Sequence, residues 1–374
     1  MIKSLLGIIS VSVLLLVPIS LTPAFAQVTD FYWSEDTLTG DEVFTADAAT
    51  QTVTQVTSGG FNRIDDVEID PIANKLWWNN WNPPPGMTPQ EGIYSSNLDG
   101  TGQVQVTSGA QSNTPTGFAS GLHGLVLDPS NQVVFFTRGV SYANAPYGEV
   151  SRVNMDGTGY AQLNSPAGES WFPSGIERVG NTLYWGNPGV IVFGFADGAV
   201  NSMDTSGGNL QINQVAHTDG HGRSLALDSA KGLLFYSSFG SPTSGGGIFV
   251  YDVINGGAPI QVLTDPLTGI PDIELDTANM RIYWTDYANG EIRSASYDAA
   301  GNLSPFTSEI SGLLNPFGLA LVFGKQVVGG ESLSIDNTAL LLAGLQTSAI
   351  WMLPALAGIA GAGAYFVRTR MNKE

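Results

Sequence analysis

Residues 270–298 read IPDIELDTANMRIYWTDYANGEIRSASYD, and they read as three successive strands. Ile273 to Leu275 is a short apolar–polar–apolar run. Asp276-Thr277-Ala278-Asn279 then supplies the Asp and Asn whose side chains bond their own backbone in a tight turn. Arg281 to Thr285 is a second strand, Tyr287-Ala288-Asn289-Gly290 a second turn, and Glu291 to Tyr297 alternates as a half-buried strand does. A fourth strand follows Ala299-Ala300-Gly301.

The aromatic pair Tyr283-Trp284 has counterparts at Tyr32-Trp33, Trp77-Trp78, Phe135-Phe136, Tyr184-Trp185 and Phe235-Tyr236, with first members 45, 58, 49, 51 and 48 residues apart. A loose period of this length is a signature of propeller blades. Neighbouring residues of a strand point to opposite faces, so each pair can fill the contacts on both sides of its blade. Ahead of the pairs lie the strands expected to line a central channel: Val67 to Asp70, Leu125 to Asp128, Ile176 to Val179, Leu225 to Asp228 and Ile273 to Asp276. The sixth copy is displaced. Asn315 to Val322 matches this inner strand without a following aromatic pair, whereas Phe31 to Ser34 carries the pair without a preceding strand. The expected fold is therefore all-β: a six-bladed β-propeller of four-stranded blades, its ring closed by N-terminal strands (Phe31 to Ser34, Glu42 to Ala46, Thr52 to Val56) and the C-terminal inner strand. Third strands are expected at Ile93 to Leu98, Glu149 to Met155, Ala199 to Met203, Ile248 to Val253 and Ile292 to Tyr297.

Ile273-Glu274-Leu275-Asp276 followed by Tyr283-Trp284-Thr285-Asp286 resembles the YWTD repeat of low-density-lipoprotein-receptor-type six-bladed propellers; the tetrapeptide is complete only here. The resemblance covers Phe31 to Val322 in architecture. It implies that the motif Asp ties blades together, a role that carries over only to Asp286, since its counterparts are Glu35, Asn80, Arg138, Asn187 and Ser238.

The 374 residues are 43% hydrophobic and only 13% charged, with 46 Gly and 20 Pro, a turn-rich composition able to bury a core. Lys3 precedes an apolar run from Leu5 to Leu16, and Ala24-Phe25-Ala26 suits a signal peptidase, so residues 1–26 are expected to be a cleaved signal peptide. The propeller then occupies 27–324 and a linker 325–338. Residues 339–367, uncharged from Leu340 to Val367, are expected to form one transmembrane helix, and 368–374 a cytoplasmic tail that begins with Arg368 and Arg370. This tail region resembles the anchors of archaeal cell-surface proteins. The expected location is the cell membrane, single-pass, with the propeller outside. Cysteine is absent, so no disulfide assists the core, and the net charge of −19 excludes nucleic acid as a partner.

No P-loop, H-E-x-x-H or G-x-S-x-G is present, and without cysteine there is no thiol nucleophile. Variable connections gather on the face that carries second-to-third and inter-blade loops, and bring Trp81, Tyr142, Tyr147, Trp171 and Phe172, the candidate ligand-binding residues. Aligned inner strands place Glu68, Val126, Glu177, Ala226, Glu274 and Ala320 at one register, which sets three glutamates about 120° apart around the bore. With Asp65, Asp66 and Asp272 at the loop-side entrances, they form an oxygen-rich set whose chemistry suits Ca2+. Arg63, Arg178, Arg223 or Arg281 could pair the same acids instead. Two functions are expected from these features. The first is a non-catalytic recognition or adhesion module for an extracellular protein or glycan. The alternative is a calcium-dependent hydrolase or lyase that resembles lactonase and strictosidine-synthase-like propellers, with its site at the loop end of the channel.

Overall fold

The computed structural model describes residues 26–35, 40–57, 59–81, 91–108, 119–141, 148–163, 173–187, 198–217, 222–241, 244–265, 269–324, 327–328 and 331–332. Over these residues the chain forms six four-stranded antiparallel sheets and one short hairpin. Blade one comprises β4 (Val67–Asp70), β5 (Lys75–Asn80), β6 (Gly92–Asn97) and β7 (Val104–Ser108). Blade two comprises β8 (Ala119–Asp128), β9 (Val133–Ser141), β10 (Glu149–Asn154) and β11 (Ala161–Gln162). Blade three comprises β12 (Ile176–Val179), β13 (Thr182–Asn187), β14 (Gly198–Asp204) and β15 (Gln211–His217). Blade four comprises β16 (Gly222–Asp228), β17 (Leu233–Ser241), β18 (Ser244–Asp252) and β19 (Ile260–Asp265). Blade five comprises β20 (Ile273–Asp276), β21 (Arg281–Asp286), β22 (Glu291–Ser296) and β23 (Thr307–Ser311).

Blade six is shared between the two ends of the chain. Its order is β24-β1-β2-β3, with β24 (Pro316–Phe323) innermost and β1 (Val28–Glu35), β2 (Glu42–Asp47) and β3 (Val53–Gln55) outside it. The inner strands neighbour one another in the cycle β4, β8, β12, β16, β20, β24 and back to β4. The hairpin of β25 (Val327–Val328) and β26 (Glu331–Ser332) follows the ring. Among the described residues no helix is long and apolar enough to cross a membrane. The expected leader, save Ala26, and the expected membrane segment 339–367 lie outside the described residues.

The aromatic pairs divide between neighbouring interfaces as strand alternation requires. Tyr32 packs with Trp78 between blades six and one, and Trp77 with Phe136 between one and two. Phe135 packs with Trp185, Tyr184 with Tyr236, Phe235 with Trp284, and Tyr283 with Trp33, which completes the circuit. In every blade the first aromatic faces the following blade and the second faces the preceding one. Trp33, Trp78, Trp185 and Trp284 are fully buried. Each bulky core side chain of this kind stabilises by several kcal/mol, roughly 3–5 for Phe or Trp against Ala.

The acid that ends most inner strands caps the turn that follows. The carboxylate of Asp70 accepts from the amides of Ile72 and Ala73, Asp128 from Asn131, Asp228 from Lys231, and Asp276 from Asn279. Asp99 and Asp156 do the same for the third-to-fourth turns by accepting from Thr101 and Thr158. The same chemistry corrects the role expected of Asp286. Its carboxylate accepts from the Asn289 amide and side chain and pairs with Arg293 at 2.5 Å, all within blade five.

The tie between blades is made one residue earlier. Ser34, Asn79, Thr137 and Thr285 follow the aromatic pair, and each donates to a backbone carbonyl of the next blade: Ile64, His123, Ser174 and Phe317 respectively. The same side chains accept from an amide of their own inner strand: Gly318, Asp65, Gly124 and Asp272. A short hydroxyl or amide that both donates and accepts can serve both blades; a carboxylate, an acceptor only, cannot.

Candidate functional site

The inner strands show the register that the sequence alignment implies. Glu68, Val126, Glu177, Ala226, Glu274 and Ala320 each lie opposite the first aromatic of their blade: Trp77, Phe135, Tyr184, Phe235, Tyr283 and Tyr32. The three glutamates therefore come from blades one, three and five. Burial, reinforced by Glu177 and Asp272, pushes the Glu68 carboxyl well above its usual range. Burial and then Glu68, Asp272 and Glu177 do the same to Glu274, and burial raises Glu177 to about 7. These three acids feel one another across the bore, where low dielectric makes like charges costly.

One layer towards the loops stand Asp66 and Asp272, which also serve the ring's architecture. Asp66 accepts from the Leu125 amide at 2.7 Å, and Asp272 accepts from the Leu319 amide at 2.7 Å and the Ser224 hydroxyl at 2.6 Å. Burial, then Asp272 and Glu68, holds Asp66 well above the usual carboxylate range. Burial lifts Asp272 to about 6 against the pull of those donors. At the equivalent positions of blades two, three and six stand Gly124, Gly175 and Gly318, where a Cβ would press on the backbone of the next inner strand. Only glycine allows this approach, so acids cannot occupy every blade at this level.

The outermost layer is a mouth built on β-bulges. The ladder slips between Leu122 and Leu125 on β8, between Gly222 and Leu225 on β16, and between Leu319 and Pro316 on β24. Each slip sets two residues against one, namely His123-Gly124 against Thr137, Arg223-Ser224 against Ser237, and Phe317-Gly318 against Ser34. A bulge bends its strand and re-aims the side chains it carries. His123 and Arg223 accordingly meet Asp65 of blade one, and Phe317 meets the Arg63 and Arg223 guanidiniums. His123 Nδ1 lies 2.6 Å from Asp65 Oδ2, while Arg63 Nε and Arg223 Nη2 lie 2.6 and 3.5 Å from Oδ1. The guanidinium carbons of Arg63 and Arg223 stand 5.1 and 3.9 Å from the Phe317 ring centroid, and Tyr287 meets that ring edge-on.

Burial disfavours the charge on Asp65, yet Arg63 above all, with His123 and Arg223, outweighs it and holds the acid below its usual range. Burial lowers Arg223 to about 10 and keeps His123 below its ordinary value, so the imidazole is neutral at pH 7. Arg63 thus pairs one of the expected acids, as does Arg223. Arg178 instead reaches Asp128, and Arg281 reaches Glu309 on an outer strand.

Trp81 sits beside this mouth. Its amide donates to the Arg63 carbonyl at 2.7 Å, its ring lies 5.5 Å from the Arg63 guanidinium carbon, and a Cβ at Gly121 would overlap its indole. Tyr142, Tyr147, Trp171 and Phe172, the other candidate loop aromatics, lie outside the described residues. Asp65, Asp66, Asp272, Glu68, Glu177 and Glu274 occupy successive layers of one bore. Among the described residues no three Asp, Glu or His side chains stand close enough to form a metal-ligand set. Their oxygen chemistry suits calcium; their spacing here does not make a coordination sphere. Sequence reasoning did not assign Arg63, Arg223, Phe317 or Tyr287 to a ligand site. Carrying the aligned row of Glu68 three residues upstream lines up Asp65, His123, Ser174, Arg223, Pro271 and Phe317, which is the signal that would have found His123, Arg223 and Phe317 at the mouth.

No protein-family model matches the sequence, and comparison with curated proteins gives no match. Solved structures do share the fold. A chain of a nidogen–laminin complex superposes with a TM-score of 0.55 at 14% identity, over 78% of this chain and 97% of that one. TolB from Acinetobacter baumannii gives 0.56 at 11%, over 78% and 66%. A protein from Lactobacillus plantarum gives 0.51 at 12%, over 79% and 100%. Likeness at these identities is a likeness of fold.

Proposed function

We propose that this chain is a membrane-anchored, surface-displayed propeller that recognises an extracellular protein or glycan through the loop-side face of the ring. A leader over 1–26 and an anchor over 339–367 would place that face outside the cell. The reading rests on one observation: side chains from blades one, two, four, five and six converge at the loop-side mouth, as Arg63, Asp65, His123, Arg223, Tyr287 and Phe317. A rigid scaffold that gathers aromatic and charged groups at one end suits binding. The nidogen–laminin likeness adds that this fold occurs in a protein complex. The test is a screen of the full chain, in detergent, against immobilised glycans and extracellular proteins. A partner that binds the parent and is weakened by Trp81→Ala supports the reading. Failure to retain any partner, or binding indifferent to substitutions at the mouth, removes it.

The alternative, a calcium-dependent hydrolase or lyase, draws on the ring of carboxylates and requires them to close around the ion. A melting temperature that rises with calcium, and no longer does so in Glu177→Gln, would establish the ion; one indifferent to calcium would leave the recognition reading alone.

A further inference from the structure

The face opposite the mouth exposes a different chemistry. Inner strands run from the mouth to the first-to-second turns, and fourth strands start from the third-to-fourth turns, so both sets of turns share that face. Among the described residues, the large apolar side chains that stand exposed lie on this turn face with one exception, Leu314 on the loop side. They belong to blades that neighbour one another in the ring: Ile254 and Ile260 to blade four, Phe306 to five, Phe323 and Val53 to six, Ile72 and Val104 to one. The turns of blades two and three expose Ser130 and Ser206 in their place. Single exposed apolar residues are ordinary; an arc confined to adjacent blades marks a contact surface.

The path of the chain points to what covers it. β24 runs from Phe317 at the mouth to Phe323 on the turn face, where the Gly324 amide donates to the Gln27 carbonyl at 2.8 Å, so both ends of the ring leave from blade six, inside the arc. From there residues 325–338, at most about 50 Å when fully extended, lead to the apolar stretch at 339–367. A tether that short holds the turn face at high effective concentration beside whatever surface receives the stretch, so a modest apolar contact suffices. The acids of the arc restrict the charge of that surface. Asp47, Asp99 and Asp298 are exposed, each accepting from amides of its own turn, and anionic headgroups would repel them. We propose that the apolar arc of the turn face rests on a lipid surface without net negative charge, beside the chain's own anchor, so that the mouth looks away from the membrane. This rests on the membrane-anchored reading and adds to it a lipid contact and an orientation.

The chain lacks cysteine, so one introduced cysteine carries a nitroxide label at a chosen site. Ile72→Cys, Ile254→Cys and Ile260→Cys report on the arc, Ser130→Cys and Ser206→Cys on the rest of the turn face, and Leu314→Cys on the loop side. All six positions are exposed, so the labels should leave the fold intact, which thermal melting checks. The experiment measures label relaxation in the full chain reconstituted in phosphatidylcholine nanodiscs. Oxygen, which concentrates in lipid, should relax the three arc labels more than a water-soluble nickel chelate does, and the order should invert at the three controls. Ile254→Asp together with Ile260→Asp should return the label of Ile72→Cys to water. The proposal is overturned by nickel-dominated relaxation at the arc, by oxygen-dominated relaxation at Leu314→Cys, or by a contact that strengthens in phosphatidylserine discs. Weak relaxation of the arc by both agents also overturns it, as the mark of cover by 325–338 or by a second copy of the chain. A chain that stays out of the discs removes the anchor reading and this inference with it. A chain seated in the discs with every label in water sinks this inference alone.

Discussion

Raising the pH from 5 to 8 should destabilise this propeller, and Glu177→Gln should remove part of that loss. Glu177 has its carboxyl raised from 4.5 to about 7, chiefly by burial in the bore. An acid whose folded pKa exceeds its unfolded one binds its proton more tightly when folded. Its stabilising contribution is therefore complete below the unfolded value and is lost as pH climbs through about 7. At about 1.4 kcal/mol per unit, that loss is roughly 3 kcal/mol for Glu177. Asp272, raised to about 6, moves the same way over a lower window. Glu68, Glu274 and Asp66 share the direction, but the acids share one field, so their losses do not add. His123, with its value lowered chiefly by burial, has the opposite sign: its contribution fades as pH falls below its unfolded value near 6.5. Asp65, held low by Arg63, opposes only at strongly acid pH. The balance favours a maximum near pH 5. At about 2 °C per kcal/mol for a ring of this size, Glu177→Gln should melt roughly 5 °C above the parent at pH 8 and close to it at pH 5. Thermal unfolding of the full chain, followed by tryptophan fluorescence across that pH range, reads both effects. A melting temperature that rises from pH 5 to 8, or an identical pH slope in Glu177→Gln, would refute the reasoning.

Other outcomes test other levels of the structure. Deleting Gln27 to Ser58, or ending the chain at Gly312, removes one side of blade six and should abolish the cooperative transition; a truncated chain that melts like the parent would contradict the closure by β24 and β1. Thr285→Val keeps the shape but removes the donor to the Phe317 carbonyl at 2.7 Å, and should cost about 1–3 kcal/mol in denaturant unfolding, whereas Asp286→Asn breaks the buried pair with Arg293 inside blade five and should cost at least as much. Gly121→Ala should push the Trp81 indole from the mouth and weaken partner binding, while the core melts nearly as before; unchanged binding would detach Trp81 from the site. Protease added to intact cells should release a large fragment by cutting between Lys325 and Asn337, and full protection would refute an outward propeller.

The blades were legible because their signal is physical and repeats. A strand turns successive side chains to opposite faces, so two adjacent aromatics can only be buried if both faces are covered, and the six pairs show that burial at six interfaces. The same alternation carried the inner register, and with it the glutamate ring. It failed where the ladder stops alternating. At His123-Gly124, Arg223-Ser224 and Phe317-Gly318 one residue too many is opposed to Thr137, Ser237 and Ser34, and no pattern of period two says where His123, Arg223 or Phe317 will point. The misassigned role of Asp286 has a different origin: blade five keeps its register, and Thr285, one residue earlier, accepts from the Asp272 amide with one lone pair and gives its proton to the Phe317 carbonyl. Ser34 and Thr137 do the same opposite their bulges. In blades two and six the device that locks the ring is therefore the one that re-aims a side chain into its mouth. A substitution at Thr137 or Ser237 should disturb His123 or Arg223 before it disturbs the aromatic layer beneath, so architecture and candidate site cannot be varied independently at these positions.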